Sequence, residues 1–226
     1  MKKIAILQSN YIPWKGYFDL IGKVDEFVFY DCVQYTKNDW RNRNRIVTSS
    51  GLIWLTIPVK VPSLSSVIND IKVADHRWAT KHWKTIVQNY SGKPGYFEFS
   101  EAIHRIYEEA ATLEKLSEIN QLFVKELSAI IGLNTSFRRS EEFCIVGGRN
   151  ERLIQICKQT GADRYVSGPS ASSYLNIESF SSEGISVEWM DYGHYREYKQ
   201  DHIEFNHGVS ILDLLFNLGK GFREYI

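Results

Sequence analysis

The chain has only three cysteines in 226 residues, Cys32, Cys144 and Cys157, an odd number at wide spacing. With no CxxC pair they exclude a disulfide framework and a zinc cluster, and they point to a reducing compartment. Net charge is missing too: 27 Lys+Arg balance 27 Asp+Glu. A neutral chain is not a general nucleic-acid or membrane-surface binder, so any electrostatic site must be local. Long apolar runs are also lacking. The opening MKKIAILQ carries two lysines, but its apolar stretch breaks at Gln8, Ser9 and Asn10, too soon for a signal peptide or a membrane span. A cytoplasmic protein with no membrane partner is expected. There is no GxxxxGK[ST] loop, no GxGxxG fingerprint, no GxSxG elbow, no internal repeat and no low-complexity tract. His194, His202 and His207 lie among acids in DYGHYREYKQDHIEFNHG, but their spacing matches no HExxH pair, so neither a metal nor a cofactor is expected.

What is present is an ordinary globular composition, 43% hydrophobic, with an aromatic share of 14% that includes 6 Trp and 13 Tyr. Such side chains serve core packing, sugar stacking or base stacking. Ile4 to Leu7 is a short apolar run, followed by a polar turn and by Trp14, Phe18, Leu20 and Ile21 at helical spacing. Phe27 to Tyr30 is a second buried strand, completing a strand–helix–strand unit. Leu52 to Val61 alternates and contains Pro58; with Ile68 to Val73 it predicts paired antiparallel edge strands. Helices follow at Trp78 to Tyr90, Tyr96 to Tyr107 and Leu113 to Ile131, where Leu113, Leu116, Asn120, Phe123, Leu127 and Ile131 share a face. After Gly132 the alternation resumes, with strands at TSFRRS, RYVS and Ile185 to Trp189, a helix from Asn150 to Thr160 stopped by Gly161, and a capped helix after Ser210, where Ser210 and Asp213 form an S-x-x-D capping box. The expected fold is a single α/β domain spanning 1–226: a Rossmann-like, mostly parallel sheet flanked by helices, with a helical middle lobe at 75–132 and a short antiparallel edge hairpin.

In such sheets ligands bind beyond the carboxyl ends of the strands, which brings three loops forward together. The first offers Gln8, Asn10, Tyr11 and Trp14 ahead of a helix start; its plain alternative is a capped turn. The second, QYTKNDWRNRNR, gathers Gln34, Tyr35, Lys37, Trp40, Arg41, Asn42, Arg43 and Arg45 against one acid, Asp39. It is a cationic, aromatic patch on a neutral chain, suited to phosphate and to a ring. If Arg41 to Arg45 is extended, the arginines take one face and Asn42 and Asn44 the other. The third loop supplies Ser167, Gly168, Ser170 and Tyr174, small hydroxyls and free amides near a helix start. A fourth group lies on the helix from Trp78, where His82 shares a face with Asn89 and has Lys81 at its edge; His82 is the proton shuttle by type.

Taken in order, QSNYIPWKGYFDLI, FVFYDCVQYTKNDWRNRNRI, WLTIPVKV, WATKHWKTIVQNY, RYVSGPSASSYL and EFNHGVSILDLLFNLG resemble the WbqC-like family of bacterial surface-polysaccharide gene clusters, almost end to end. Ser9 stands where that family carries proline, and Cys32 where it carries a second aspartate, which removes paired carboxylates at Asp31. The resemblance implies a role in O-antigen or related lipopolysaccharide glycan synthesis: an acyl- or aminoacyltransferase that places an amino-acid-derived group such as glycyl on a nucleotide-linked amino sugar of dTDP type. It implies a diphosphate at Arg41, Arg43 or Lys37, rings against Tyr35 and Trp40, and His82 or Asp31 as the base; an aminoacyl-tRNA is one donor it admits. Two rivals remain open. An ATP-using ligase or nucleotidyltransferase would suit the layout, although YIPWKGYF stands where an HxGH-like signature belongs. A non-catalytic nucleotide-sugar binding protein would need only the aromatic residues.

Overall fold

The structure, a computed structural model, describes residues 1–201 and 204–226. Nine strands and seven α-helices alternate along the described chain. The central sheet holds β1 (Lys3–Leu7), β2 (Glu26–Phe29), β7 (Ser136–Arg139), β8 (Arg164–Ser167) and β9 (Ser186–Trp189), in the order β7-β2-β1-β8-β9. Every neighbouring pair is parallel. This is the expected α/β sheet, and its alternation explains its two buried faces. Ala5, Phe27 and Phe29 join one core with Phe18 of α1 (Lys15–Gly22), Ile86 of α2 (Trp78–Tyr90), Ile103 of α3 (Tyr96–Ala110) and Leu127 of α4 (Leu116–Ile131). Ile4, Ile6 and Val28 point the other way, toward Leu153 of α5 (Arg149–Thr160) and Phe180 of α6 (Ile177–Ser181). The helices at 78–131 thus share one core with a face of the sheet.

The helix stops obey local chemistry. Gly132 and Gly161 end α4 and α5 in the left-handed region, at φ +84° and +69°. Two expectations need correcting. Leu52 to Val61 is not one strand: β4 (Gly51–Thr56) turns back onto β3 (Arg43–Thr48), and only β5 (Val59–Lys60) reaches β6 (Lys72–Val73). Pro58, with no N–H to give, divides the run. The capping box before α7 (Ile211–Leu218) is half formed. Ser210 Oγ accepts from Leu212 N at 3.3 Å, but the Asp213 carboxylate turns into the core and accepts from Tyr90 Oη, Tyr198 Oη and Gln200 Nε2.

The sheet order positions the site. From β1 the chain steps outward to β2 and β7, then returns across β1 to add β8 and β9 on the other side. Loops leaving β1 and β8 therefore diverge, and a crevice opens between them at the carboxyl ends of the strands.

Candidate functional site

Two of the three predicted loops form one laced unit. Tyr11 N donates to Trp40 O at 3.0 Å, and the Arg41 guanidinium donates to Asn10 Oδ1. Asn44 Nδ2 donates to both Tyr11 O and Ile12 O, at 3.1 and 2.9 Å. Ile12 holds φ +36°, a conformation a β-branched residue takes only under constraint, and Asn44 is the clamp. Asn120 of α4 ties the unit from below, donating to Arg41 O at 2.8 Å and Ser9 Oγ at 3.3 Å. The expected alternation holds across Arg41 to Arg45: the arginines are half-exposed, and Asn42 and Asn44 are buried.

That unit walls a cleft of about 280 Å³ lined by Asn10, Pro13, Trp14, Trp40, Asn44 and Gly208. At its edge the Arg43 guanidinium lies 4.2 Å from the Trp54 ring, and that of Arg45 lies 5.4 Å from both Trp40 and Trp54. Trp40 and Trp54 are 38% and 44% exposed, so an aromatic and cationic platform faces solvent beside the cleft. Arg41 pairs with Asp39 at 3.4 Å; among the described residues neither Arg43 nor Arg45 has a carboxylate partner. Burial raises the Asp39 pKa less than Thr36, Arg41 and the Trp40 N–H lower it, so its carboxyl stays below the usual range.

A second, larger cleft of about 530 Å³ lies at the crevice itself. Leu7 and Gln8 after β1, Tyr30 after β2, Tyr165 of β8 and Tyr174 beyond it meet Gly147, Gly148, Arg149 and Arg152 at the start of α5. The four α5-side residues were not anticipated from sequence. A Gly-Gly pair opening a helix, with arginines three residues apart, was the available signal.

The other predicted residues are placed as follows. Ser167 is buried at the end of β8, with Gly168 and the exposed Ser170 following it. Tyr35 is buried, Lys37 is exposed, and Gln34 Nε2 is spent on Leu64 O at 2.7 Å. Lys81 is exposed, and Asn89 bonds within its own helix to Thr85 O. None of these eight lines either cleft.

Asp31 and His82, the expected bases, line neither cleft. Asp31 is fully buried and accepts from Ser9 N at 2.8 Å and Gln121 Nε2 at 3.0 Å; burial raises its pKa despite those bonds. His82 sits in a buried polar group in which Tyr11 Oη is 2.9 Å from its Nδ1 and 2.8 Å from Tyr107 Oη. Burial pushes the His82 pKa down to about 4, so its imidazole is neutral. Both residues hold the first loop. Cys32 is half-buried and burial raises its thiol, which leaves no thiolate nucleophile there at neutral pH. Among the described residues no three His, Cys, Asp or Glu side chains gather as a metal site; His202 lies outside those residues. No helix of the described residues is long and apolar enough to cross a membrane.

A parallel α/β sheet with clefts beyond its strand ends makes this an α/β protein whose candidate site lies where open sheets of this class take their ligands. The chain matches the WbqC-like protein family over residues 8–225 and belongs to it. It is 46% identical to the uncharacterized protein Rv1507c of Mycobacterium tuberculosis, covering 100% of this chain and 98% of that one. No solved structure matches it.

Proposed function

We propose that the protein is a two-substrate transferase of surface-glycan synthesis that moves an acyl group, aminoacyl and specifically glycyl in kind, onto the amino group of a nucleotide-linked amino sugar. One observation carries this: the two clefts share a wall. Gln8 lines one and Asn10 the other, so at this loop they lie within about 7 Å of each other along the chain. Two ligands bound there would present their reacting ends to one another, and holding two reactants together is the main work of such an enzyme.

The sugar nucleotide takes the smaller cleft. Trp14 and Trp40 offer ring faces, and the guanidiniums of Arg43 and Arg45, each with one nitrogen donating to a backbone carbonyl (Asn38 O and Gly208 O) and neither paired with a carboxylate among the described residues, carry the charge that suits its diphosphate. The activated acyl carrier, an aminoacyl-tRNA end among the options, takes the larger one. A base removes one proton from the sugar ammonium. The amine then attacks the acyl carbon, a C–N bond forms, and the carbon–oxygen bond to the carrier breaks. The carrier oxygen leaves with that electron pair and the second amine proton.

For the base we assign His207, chain neighbour of Gly208 in the cleft wall, in place of Asp31 and His82. Its Nδ1 is buried beside the cleft wall without a hydrogen-bond partner, and partial burial with the Lys15 charge holds its pKa below the ordinary histidine range. It is therefore neutral at pH 7 and competent to take a proton.

The test incubates the protein with a dTDP-amino sugar and glycine, with ATP or charged tRNA supplied separately. The sugar nucleotide gains the mass of a glycyl group in one arm, and Trp40→Ala and His207→Ala each suppress that gain. AMP or pyrophosphate release without tRNA assigns an ATP-dependent ligase instead. Binding of the sugar nucleotide with no product from any donor overturns the transferase assignment.

A further inference from the structure

We propose that the larger cleft, between the ends of β1 and β8, is a binding site for a nucleoside 5′-phosphate. Its role as the carrier site rests on the transferase assignment above; its binding chemistry does not.

The position comes from topology. The sheet reverses its direction of growth between β1 and β8, and the cleft is walled by the loops that diverge there. A crevice of that kind is where open parallel sheets take their ligands. Its volume of about 530 Å³ is of the size that encloses a small organic ligand.

The charge is one-sided. Arg149 and Arg152 stand three residues apart on α5, on one face, and among the described residues neither pairs with a carboxylate. Arg152 Nε donates to Gly147 O at 2.8 Å, which fixes the fork at the cleft wall. The Arg149 guanidinium lies 4.4 Å from the Tyr174 ring centroid, a stacking that leaves its edge nitrogens free for an anion. Both arginines act electrostatically on the Tyr30 phenol, so the two charges converge on one part of the cleft. The nearest acid in sequence, Glu151, is turned back onto the Gly148 amide at 2.6 Å and closes the helix end itself. The anion site is therefore built by the two side chains. Gly147 and Gly148 add backbone that a bulky group can approach, and at Gly147, with φ +88°, a Cβ would meet Glu151 Oε2 at 2.1 Å.

The rest of the cleft lining is largely apolar. Ile6, Leu7, Val33 and Leu153 line it together with three tyrosine rings. A free phosphate would leave that floor unused. A ligand with a flat apolar ring at one end and phosphate at the other uses both, with Gln8 available to a polar edge of the ring.

Calorimetry on the full chain with ADP, AMP, adenosine, dTDP and inorganic pyrophosphate tests this. ADP binds, adenosine binds at least tenfold more weakly, and Arg149→Ala and Arg152→Ala each weaken ADP tenfold or more, whereas any dTDP binding that survives both variants belongs to the smaller cleft. The lysine replacements at both positions recover part of the loss. Trp40→Ala leaves nucleotide binding at this cleft unchanged while reducing capture of the sugar nucleotide in the other, so failure of either site is seen separately. Circular dichroism confirms that each variant is folded. The proposal is overturned if no nucleotide binds at millimolar concentration, or if the Arg149→Ala/Arg152→Ala double variant binds as the parent does. Pyrophosphate binding as tightly as ADP overturns the nucleoside assignment, because the apolar floor would then contribute nothing.

Discussion

The backbone N–H of Ser9 donates to Oδ1 of Asp31 at 2.8 Å, and neither residue has any exposed surface. Ser9 is the residue between Gln8 in one cleft and Asn10 in the other, so this bond fixes the wall the two clefts share. Asn in place of Asp31 keeps an acceptor for Ser9, and Gln121 can present its oxygen to the new amide. Asp31→Asn is therefore expected to retain ligand binding at both clefts within about threefold. Asp31→Ala removes both acceptors and leaves a buried N–H without a partner, costing about 2 to 3 kcal/mol in urea unfolding. A complete loss of turnover in Asp31→Asn with binding intact would instead return Asp31 to the proton-transfer role.

His82 gives the fold an acid limit. Its pKa is pushed down to about 4 by burial, against an ordinary 6.5, so between these values the unfolded chain binds a proton that the folded chain refuses. Stability is then full above pH 6.5 and falls as the pH drops toward 4, by roughly 3 kcal/mol. His82→Phe, which keeps a ring against Trp78 and leaves Tyr107 as partner to Tyr11, is expected to flatten this part of the stability curve. Urea midpoints at pH 4.5 and 7 for parent and variant measure it.

Lys15 works at the other end of the pH scale. Its side chain is buried, with the ammonium 4.6 Å from the Tyr195 ring centroid and 3.1 Å from Arg196 O, and burial lowers its pKa to about 8. Below pH 8 the folded protein carries a buried charge; between pH 8 and 10.5 the unfolded chain holds the proton that the folded chain has lost. Stability should therefore rise across that window. Lys15→Met abolishes the rise, seen as a melting temperature that no longer climbs from pH 8 to 10.

The sequence and the structure agree where a short-range period decides the outcome. Phe27, Val28 and Phe29 alternate between the two cores, and Arg41 to Arg45 alternates with buried asparagines, because a strand's side chains repeat every two residues. The apolar face of α4 was equally legible, but Asn120 on that face holds the two loops, a role hinted at only by an amide among leucines. The larger cleft was half hidden. Gln8 and Tyr174 were anticipated, whereas Arg149 and Arg152 meet them only because β8 is laid beside β1, and no local pattern encodes sheet order. The sequence offers His82 as a proton shuttle on a helix face, but its neighbour Tyr11 lies 71 residues away along the chain, and that separation hides the burial that keeps His82 out of both clefts.

Asn44 carries the last expectation. Its amide donates twice, to Tyr11 O and Ile12 O, across a backbone turn whose Ile12 φ of +36° is held against its preference. Strain of this kind amounts to about 1 to 3 kcal/mol and persists only where neighbours enforce it. Asn44→Ala removes both donors and is expected to destabilise the fold by about 2 kcal/mol. Asn44→Asp should cost more. The carboxylate keeps the acceptor that takes Arg45 N at 2.7 Å but sets an oxygen against two carbonyl oxygens. Because Asn10, Pro13 and Asn44 all line the smaller cleft, release of this turn also loosens that site, while the larger cleft keeps its arginines. Urea denaturation ranks the two variants, and calorimetry on each separates the clefts: sugar-nucleotide binding falls in both, and nucleoside-phosphate binding stays. An Asn44→Asp protein as stable as the parent would show that the amide does not clamp the turn.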